Sequence, residues 1–504
     1  MSNNPEKKGV SAIDFFCIGF GAIVGVGWAV AINGWMTSCG GPIPAAIGYI
    51  VALVMMIPIA LCYCELVPML PVAGGGMAFS YRAFNENVSF ISGWAAFGAF
   101  VSIIPWEAIQ ITDVLGYLIP DIKSGEPLYQ IAGTDVYLVT IIIGSVASLL
   151  LFALNMRGLA AAATVQKVLC FILVGAAIIG AVAALIGGDA KNWQPIYDVS
   201  DPTIYGAASE GLKEVSHHSM FGGIMAILAS APFFLAGFET IPQGVEEAGG
   251  DIKSVGKTVV LSVTLACVFY AFLLFSFGFA WDWQEFAQPT AVGGIMTNPA
   301  AATMLRLSYG GAAGEFFYWL ITIGAIAGLF TTWNGFFMSS AMLLMGMSRG
   351  LLMPKIFAKQ NKNGIPVPGL IVCLGLSLIG PFLGAGLIGD ITSFSGAAFV
   401  LSWGLTSYSL AFLRKKEPNL ERPYKVPGGA AMGWFAGIVS TVVFILLFIP
   451  ASPMYMKSTA CIMFVGWMII GLILYLAASG QRRGKSQTEL KEGVFHGMEE
   501  RKQA

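Results

Sequence analysis

Gly19-Phe20-Gly21-Ala22-Ile23-Val24-Gly25-Val26-Gly27-Trp28 is an apolar run with glycine at four positions. About two hundred residues on, a second apolar run breaks at Ala236-Gly237-Phe238-Glu239 and carries a carboxylate. Non-helical backbone at membrane depth is tolerated only where it is buried in protein or lines a cavity. Paired interruptions at corresponding positions of two halves point to a transporter's substrate site. The first break suits an anion, because a half-helix N-terminus presents free N–H donors and a positive dipole end. Its opposing half-helix exposes carbonyls, which suit an ammonium group or a sodium ion. Gly25, and Gly237 in the second break, let a ligand approach the backbone and permit unusual dihedral angles. The competing reading is small-residue helix packing. Four glycines at positions 19, 21, 25 and 27 are dense for packing alone.

Composition places these breaks in a bilayer. Of 504 residues 56% are hydrophobic and 11% charged, against roughly 25% charged in soluble domains. Mean hydropathy is +0.76. A net charge of -1 offers no pull toward nucleic acid. Eight cysteines are scattered through apolar runs and read as small buried hydrophobes, with Cys62 and Cys64 the nearest approach to a metal pair. No cleavable signal peptide is expected.

A spanning helix needs about 20 mostly apolar residues. Twelve runs qualify, near 13–36, 43–66, 90–118, 135–154, 160–186, 220–243, 258–281, 313–346, 366–387, 391–413, 432–451 and 458–479. With the N-terminus inside, the outer segments hold Lys123, Lys191, Lys213, Arg306 and Lys457, and the other 22 of the 27 basic residues lie inside. The positive-inside rule then puts both termini in the cytoplasm of a cell membrane (plasma or inner). Spans 1–5 and 6–10 superpose their interrupted first members, an inverted 5+5 repeat. The expected organisation is a cytoplasmic tail over 1–12, a first repeat over 13–186 and an extracellular loop over 187–219. A second repeat over 220–413, an inner loop with helices 11 and 12 over 414–479, and a cytoplasmic tail over 480–504 complete it.

Polar residues inside spans mark candidate function. Glu239 costs ~2.5–3.5 kcal/mol at mid-membrane and must face the interior, either as a protonating group or as a structural hydrogen bond to the broken helix. Glu107, in Ile104-Pro105-Trp106-Glu107-Ala108, lies roughly 25 Å into span 3. It either lines the substrate path, binding a cationic group or the coupling proton, or bonds a neighbouring span. Asp113 is expected at the outer interface. Span 8 offers Thr331-Thr332-Trp333-Asn334-Gly335 and Ser339-Ser340. Phe233 and Trp333 read either as aromatic gates or as packing. His217 and His218 read as a solvated outer loop, and Trp281-Asp282-Trp283 as an interfacial anchor.

Four stretches together resemble the amino acid–polyamine–organocation family of permeases. They are the Gly-x-Gly-Ala-Ile-Val-Gly-x-Gly run; Pro71-Val72-Ala73-Gly74-Gly75-Gly76 leading to Tyr81-Arg82-Ala83-Phe84; Phe233-Phe234-Leu235-Ala236-Gly237-Phe238-Glu239 with Glu246-Glu247; and the stretch from Arg349 to Lys359 with Glu421-Arg422-Pro423-Tyr424-Lys425-Val426-Pro427-Gly428. The resemblance implies a leucine-transporter-like fold, all-α with broken helices 1 and 6 and two extra C-terminal helices. It implies secondary transport of amino acids or related amines. It places the substrate carboxylate on amides near Val26 and Gly27, and the ammonium on carbonyls of Ile23, Phe233 and Ala236. By analogy with sodium-coupled relatives of that fold, carbonyls of Gly21 and Val24 and hydroxyls of Ser339 and Ser340 would hold sodium. The chain departs from the family at Ala248-Gly249-Gly250-Asp251, and at Leu173, where some proton-coupled members carry a lysine.

The expected function is therefore import of a small amino acid by alternating access, coupled to protons or sodium and without a cofactor. Exchange, or import of a cationic amine through Glu107 and Glu239, is the alternative within transport. A transporter-shaped receptor or partner subunit is the alternative outside it. No nucleotide loop, metalloprotease motif or nucleophile–base pair points to an enzyme. The expected partners are a small-molecule substrate and the lipid bilayer; side-chain preference and oligomeric state are left open.

Overall fold

Local sequence sets where the first helix starts and why it stops. Ser11 and Asp14 form a reciprocal cap: the Asp14 amide donates to Ser11 Oγ (3.4 Å) and the Ser11 amide to the Asp14 carboxylate (3.1 Å). The apolar stretch then runs as α1 (Ala12–Val24) until Gly25, at φ +51° and ψ -146°, leaves the helical region. Helix resumes as α2 (Gly27–Val30) and α3 (Ile32–Cys39) and ends at left-handed Gly40. The computed structural model describes residues 9–123, 125–198, 219–249, 252–286, 300–450, 452, 454–496 and 498.

The remaining helices are α4 (Pro42–Met69), α5 (Gly76–Ala83), α6 (Glu86–Leu118), α7 (Leu138–Asn155), α8 (Leu159–Gly187), α9 (Met220–Phe234), α10 (Thr240–Gln243) and α11 (Ile252–Ala280). After them come α12 (Ala300–Tyr309), α13 (Gly311–Arg349), α14 (Val367–Leu383), α15 (Ile388–Lys416), α16 (Ala430–Leu446), α17 (Ser458–Ala477) and α18 (Gln487–Phe495). Among the described residues nine helices are long and apolar enough to cross a membrane. The other three expected spans correspond to the shorter apolar helices α9, α14 and α16, of 15, 17 and 17 residues. Exposed Leu150, Phe171, Ile462 and Ile473 on α7, α8 and α17 present an apolar exterior, the surface a bilayer requires. The chain is a mostly helical integral membrane protein.

Several short elements lie outside the expected spans, α12 among them. Residues 129–136, expected to open span 4 at 135, form a hairpin of β1 (Tyr129–Ile131) and β2 (Thr134–Val136) in antiparallel register. α5 occupies the loop after α4, and α18 the polar tail. The ninth span stops at Leu383 because Gly384, at φ +66°, cannot continue a helix. In the segment expected as the extracellular loop, residues 190–193 form a helical turn held by Trp193 Nε1 donating to Phe275 O (3.1 Å). His217 and His218 lie outside the described residues.

Ion pairs fasten the end of the bundle where basic residues gather. Glu65, fully buried on α4, takes Arg414 (2.5 Å) and Arg422 (3.2 Å), and also accepts from the Val426 amide (2.7 Å). Arg349, the last residue of α13, pairs with Glu246 (3.0 Å), which accepts from the Ala73 amide as well (3.0 Å). Lys167 on α8 pairs with Asp14 on α1 (2.7 Å). At the opposite end α12 packs on α2, α3, α8 and α13. The two helix breaks lie between these fastened ends.

Candidate functional site

The breaks at Gly25 and Gly237 touch. Gly237 has φ +139°, and a Cβ built there would fall 2.5 Å from Ile23 N and 2.6 Å from Ala22 C. Only glycine permits both that dihedral angle and that approach. Gly25 is under the same double constraint: a Cβ at Gly25 would lie 2.4 Å from Thr332 Oγ1, and one at Gly328 would lie 2.0 Å from Gly25 O. Small residues on α13 thus let it press against the first break.

Between the breaks lies a cavity of about 20 Å³, room for about one water. Seven of the expected substrate residues line it: Ile23, Gly25, Val26, Gly27, Glu107, Phe233 and Ala236. Ala22, Val24, Trp106, Ile103, Phe234, Thr332 and Phe336 complete the wall. Phe233 packs on Trp106 with ring centroids 5.4 Å apart, so these two aromatics close one side. A zwitterion needs more room than this, and its entry requires the aromatic walls to move.

Glu107 is 2% exposed, and among the described residues its Oε2 has no hydrogen-bond partner. An ionised carboxylate buried without compensation is costly, so the site demands a proton or a cation at this atom. Glu239 stands differently. It is 4% exposed, accepts from the Gly237 amide (2.7 Å) and from Trp403 Nε1, and does not line the cavity. Its neighbour Phe238 packs on Tyr63 and Trp403, at 5.2 and 5.6 Å between centroids. The geometry matches a carboxylate that braces the second break against α15.

Other expected residues sit elsewhere. Trp333 is fully buried on another face of α13, its Nε1 donating to Ser377 Oγ (3.2 Å), and it does not reach the cavity as a gate. Asn334 belongs to an amide chain: Asn155 Nδ2 donates to Asn334 Oδ1 (3.0 Å), Asn334 Nδ2 to Gln166 Oε1 (2.9 Å), and Gln166 Nε2 to Thr331 O (2.9 Å). With Ser339, Phe15 and Ile18 it lines a separate, smaller cavity.

The residues expected to hold sodium are not brought together. The Gly21 carbonyl accepts from Thr331 Oγ1 (2.8 Å), while Ser339 faces the Phe15–Ile18 level of α1. α13 passes α1 in the reverse sense, so eight residues of slip from 331 to 339 carry the serines about two turns away. The Val24 carbonyl is occupied as well: Tyr270 Oη–H lies 2.8 Å from Val24 O, 2.9 Å from Ile23 O and 3.4 Å from Phe234 O. Tyr270 is the residue that sequence reading missed. One hydroxyl on α11 pins both breaks, and the only signal was a lone phenol in the apolar run Val268-Phe269-Tyr270-Ala271.

Residues 10–474 match the amino acid permease family. The chain is 22% identical over 484 residues to the branched-chain amino acid permease BcaP of Bacillus subtilis (strain 168), covering 94% of this chain and 93% of that protein. It is 23% identical over 499 residues to the methylthioribose transporter of the same organism, covering 93% of each. It is likewise 23% identical over 435 residues to the aspartate-proton symporter of B. subtilis, covering 85% and 77% respectively. With the match running from before the first break to the last long helix, the chain belongs to the amino acid permease family.

Proposed function

We propose that this permease imports a small, apolar α-amino acid by alternating access and that a proton on Glu107 drives it. In this reading twelve spans form a leucine-transporter-like 5+5 inverted repeat plus two helices, with both termini in the cytoplasm. The observation that carries it is the convergence of two helix breaks and the unpartnered Glu107 Oε2 on one cavity. Amides at Val26 and Gly27 receive the carboxylate, since a half-helix N-terminus favours an anion. Carbonyls of Ile23, Phe233 and Ala236 receive the ammonium. Ile103, Trp106, Phe233 and Phe336 leave an apolar wall for the side chain, in keeping with a branched-chain amino acid permease among the relatives.

Proton coupling is preferred to sodium because Glu107 is a buried acid inside the cavity, while Ser339 lines a separate one. Protonation removes the cost of the buried charge and lets the loaded site close. The Arg349–Glu246 pair, with Glu246 also on the Ala73 amide, is the latch expected to part when the cytoplasmic side opens. Liposomes containing only this protein test the proposal. Saturable uptake of an apolar amino acid driven by an inward proton gradient supports it. Ligand binding without flux under a proton gradient, a sodium gradient or counterflow would favour a receptor.

A further inference from the structure

A second charged site lies at the basic end of the bundle, away from both breaks. α15 finishes in Arg414-Lys415-Lys416, and Arg414 is consumed by Glu65. Arg82, near the end of α5, forks the Glu417 carboxylate through Nε (2.9 Å) and Nη2 (2.8 Å). Lys416 Nζ donates to Ala83 O (3.5 Å), which sets its ammonium beside the same helix end.

The C-terminal helix adds a third cation. α18 begins in a Ser486–Glu489 capping box and buries Leu490 and Val494 against the bundle, and Met498 just after it is buried there as well. Phe495 lies under the Arg82 guanidinium at 5.5 Å. This docking holds Lys491 in place, and its ammonium is drawn below the usual lysine range by burial and then by Lys416 and Arg82 beside it. Glu417, the carboxylate that faces Lys491, is already forked by Arg82. The group is left with surplus positive charge.

The same corner has an apolar edge. Phe84 packs on Phe412 at 4.8 Å, Phe412 on Trp434 at 5.4 Å, and Phe412, Trp434 and Phe435 are exposed on α15 and α16. Aromatic side chains gather at membrane interfaces, and basic clusters at the ends of membrane helices attract anionic head groups.

We infer that Lys416 and Lys491, beside an Arg82 that neutralises Glu417, bind the phosphate of an anionic phospholipid whose acyl chains lie along Phe412, Trp434 and Phe435. Cations and apolar edge are contiguous, and a free anion would use only the first of them. The lipid joins α15 and α18 across one phosphate. The assignment rests on the membrane embedding alone and is independent of the substrate.

The test uses the purified full chain in detergent. Phosphatidylglycerol, phosphatidylcholine and inorganic phosphate are titrated separately, with the melting temperature and lipid retention in native mass spectrometry as readouts. Phosphatidylglycerol is expected to bind and raise the melting temperature, and the other two to leave it unchanged. Each lysine is worth about fivefold in affinity, so the K416Q/K491Q double variant should bind phosphatidylglycerol about 25-fold more weakly. Lys491→Gln alone, at a partly exposed position that keeps the fold, should bind it about fivefold more weakly. Lys191→Gln, at an exposed loop position, should respond as the unsubstituted protein. An equal response to inorganic phosphate or to phosphatidylcholine, or full binding by the lysine variants, would overturn the inference.

Discussion

Replacing Gly237 by alanine tests whether the two breaks form one site. The new Cβ would stand 2.5 Å from Ile23 N, where ordinary contact begins at 3.4 Å, so the breaks must separate by about 0.9 Å. Overpacking of this kind costs ~1–3 kcal/mol, and a side chain at φ +139° adds ~1–3 kcal/mol of strain. The total of ~2–6 kcal/mol has a midpoint below the ~5–15 kcal/mol that a fold is typically worth. A misplacement of about 1 Å at a reacting or binding centre costs on the order of 100-fold. The Gly237→Ala protein is therefore expected to insert and purify, to melt lower, and to transport about 100-fold more slowly in liposomes. Gly375→Ala is the control: it lies inside α14, has the ordinary helical dihedral, and nothing stands within 4 Å of its Cβ. Uptake by Gly237→Ala within twofold of the unsubstituted protein would refute the reasoning, since the breaks would then not set the site's geometry.

Three further outcomes follow from single contacts. Glu65→Ala strands the buried Arg422 and the half-buried Arg414 and should destabilise by ~3–5 kcal/mol, read as a lower melting temperature in detergent with the substrate's KM unchanged in protein that survives. Tyr270→Phe leaves the carbonyls of Ile23 and Val24 without their donor, at ~1–3 kcal/mol; melting and substrate affinity should shift together, whereas a change in neither would mean the hydroxyl holds nothing. Thr331→Val removes the shorter of two hydroxyl contacts to the Gly21 carbonyl and should reduce uptake at least tenfold, while Ser339→Ala stays within twofold; the reverse order, or a loss of sodium-driven uptake in Ser339→Ala alone, would restore the serines as an ion site.

The breaks were legible in sequence because glycine density within an apolar run has few other causes: α1 ends against Gly25, and Gly237 sits in the turn between Phe234, where α9 ends, and Thr240, where helix resumes. The membrane character was legible from composition alone. Helix rotation was not: Thr331-Thr332 and Ser339-Ser340 are two hydroxyl pairs two turns apart, and only the packing of Gly328 on Gly25 selects the first pair. Glu107 and Glu239 look alike as letters, and they part only when Trp403 and the Gly237 amide are found on one and nothing on the other's Oε2. Tyr270 was invisible because a phenol among Val, Phe and Ala gives no pattern. The α18 helix had a readable signal in Ser486 and Glu489, a capping pair at the right spacing, masked by the polar composition around it.

Glu107→Gln, assayed in liposomes for proton-driven uptake and for substrate exchange at equal pH, tests the central claim most directly. The side chain keeps its shape and loses its proton site. The account predicts that exchange persists within a few-fold while accumulation driven by a proton gradient disappears, along with the pH dependence of uptake. Accumulation that still follows the proton gradient in Glu107→Gln would contradict it.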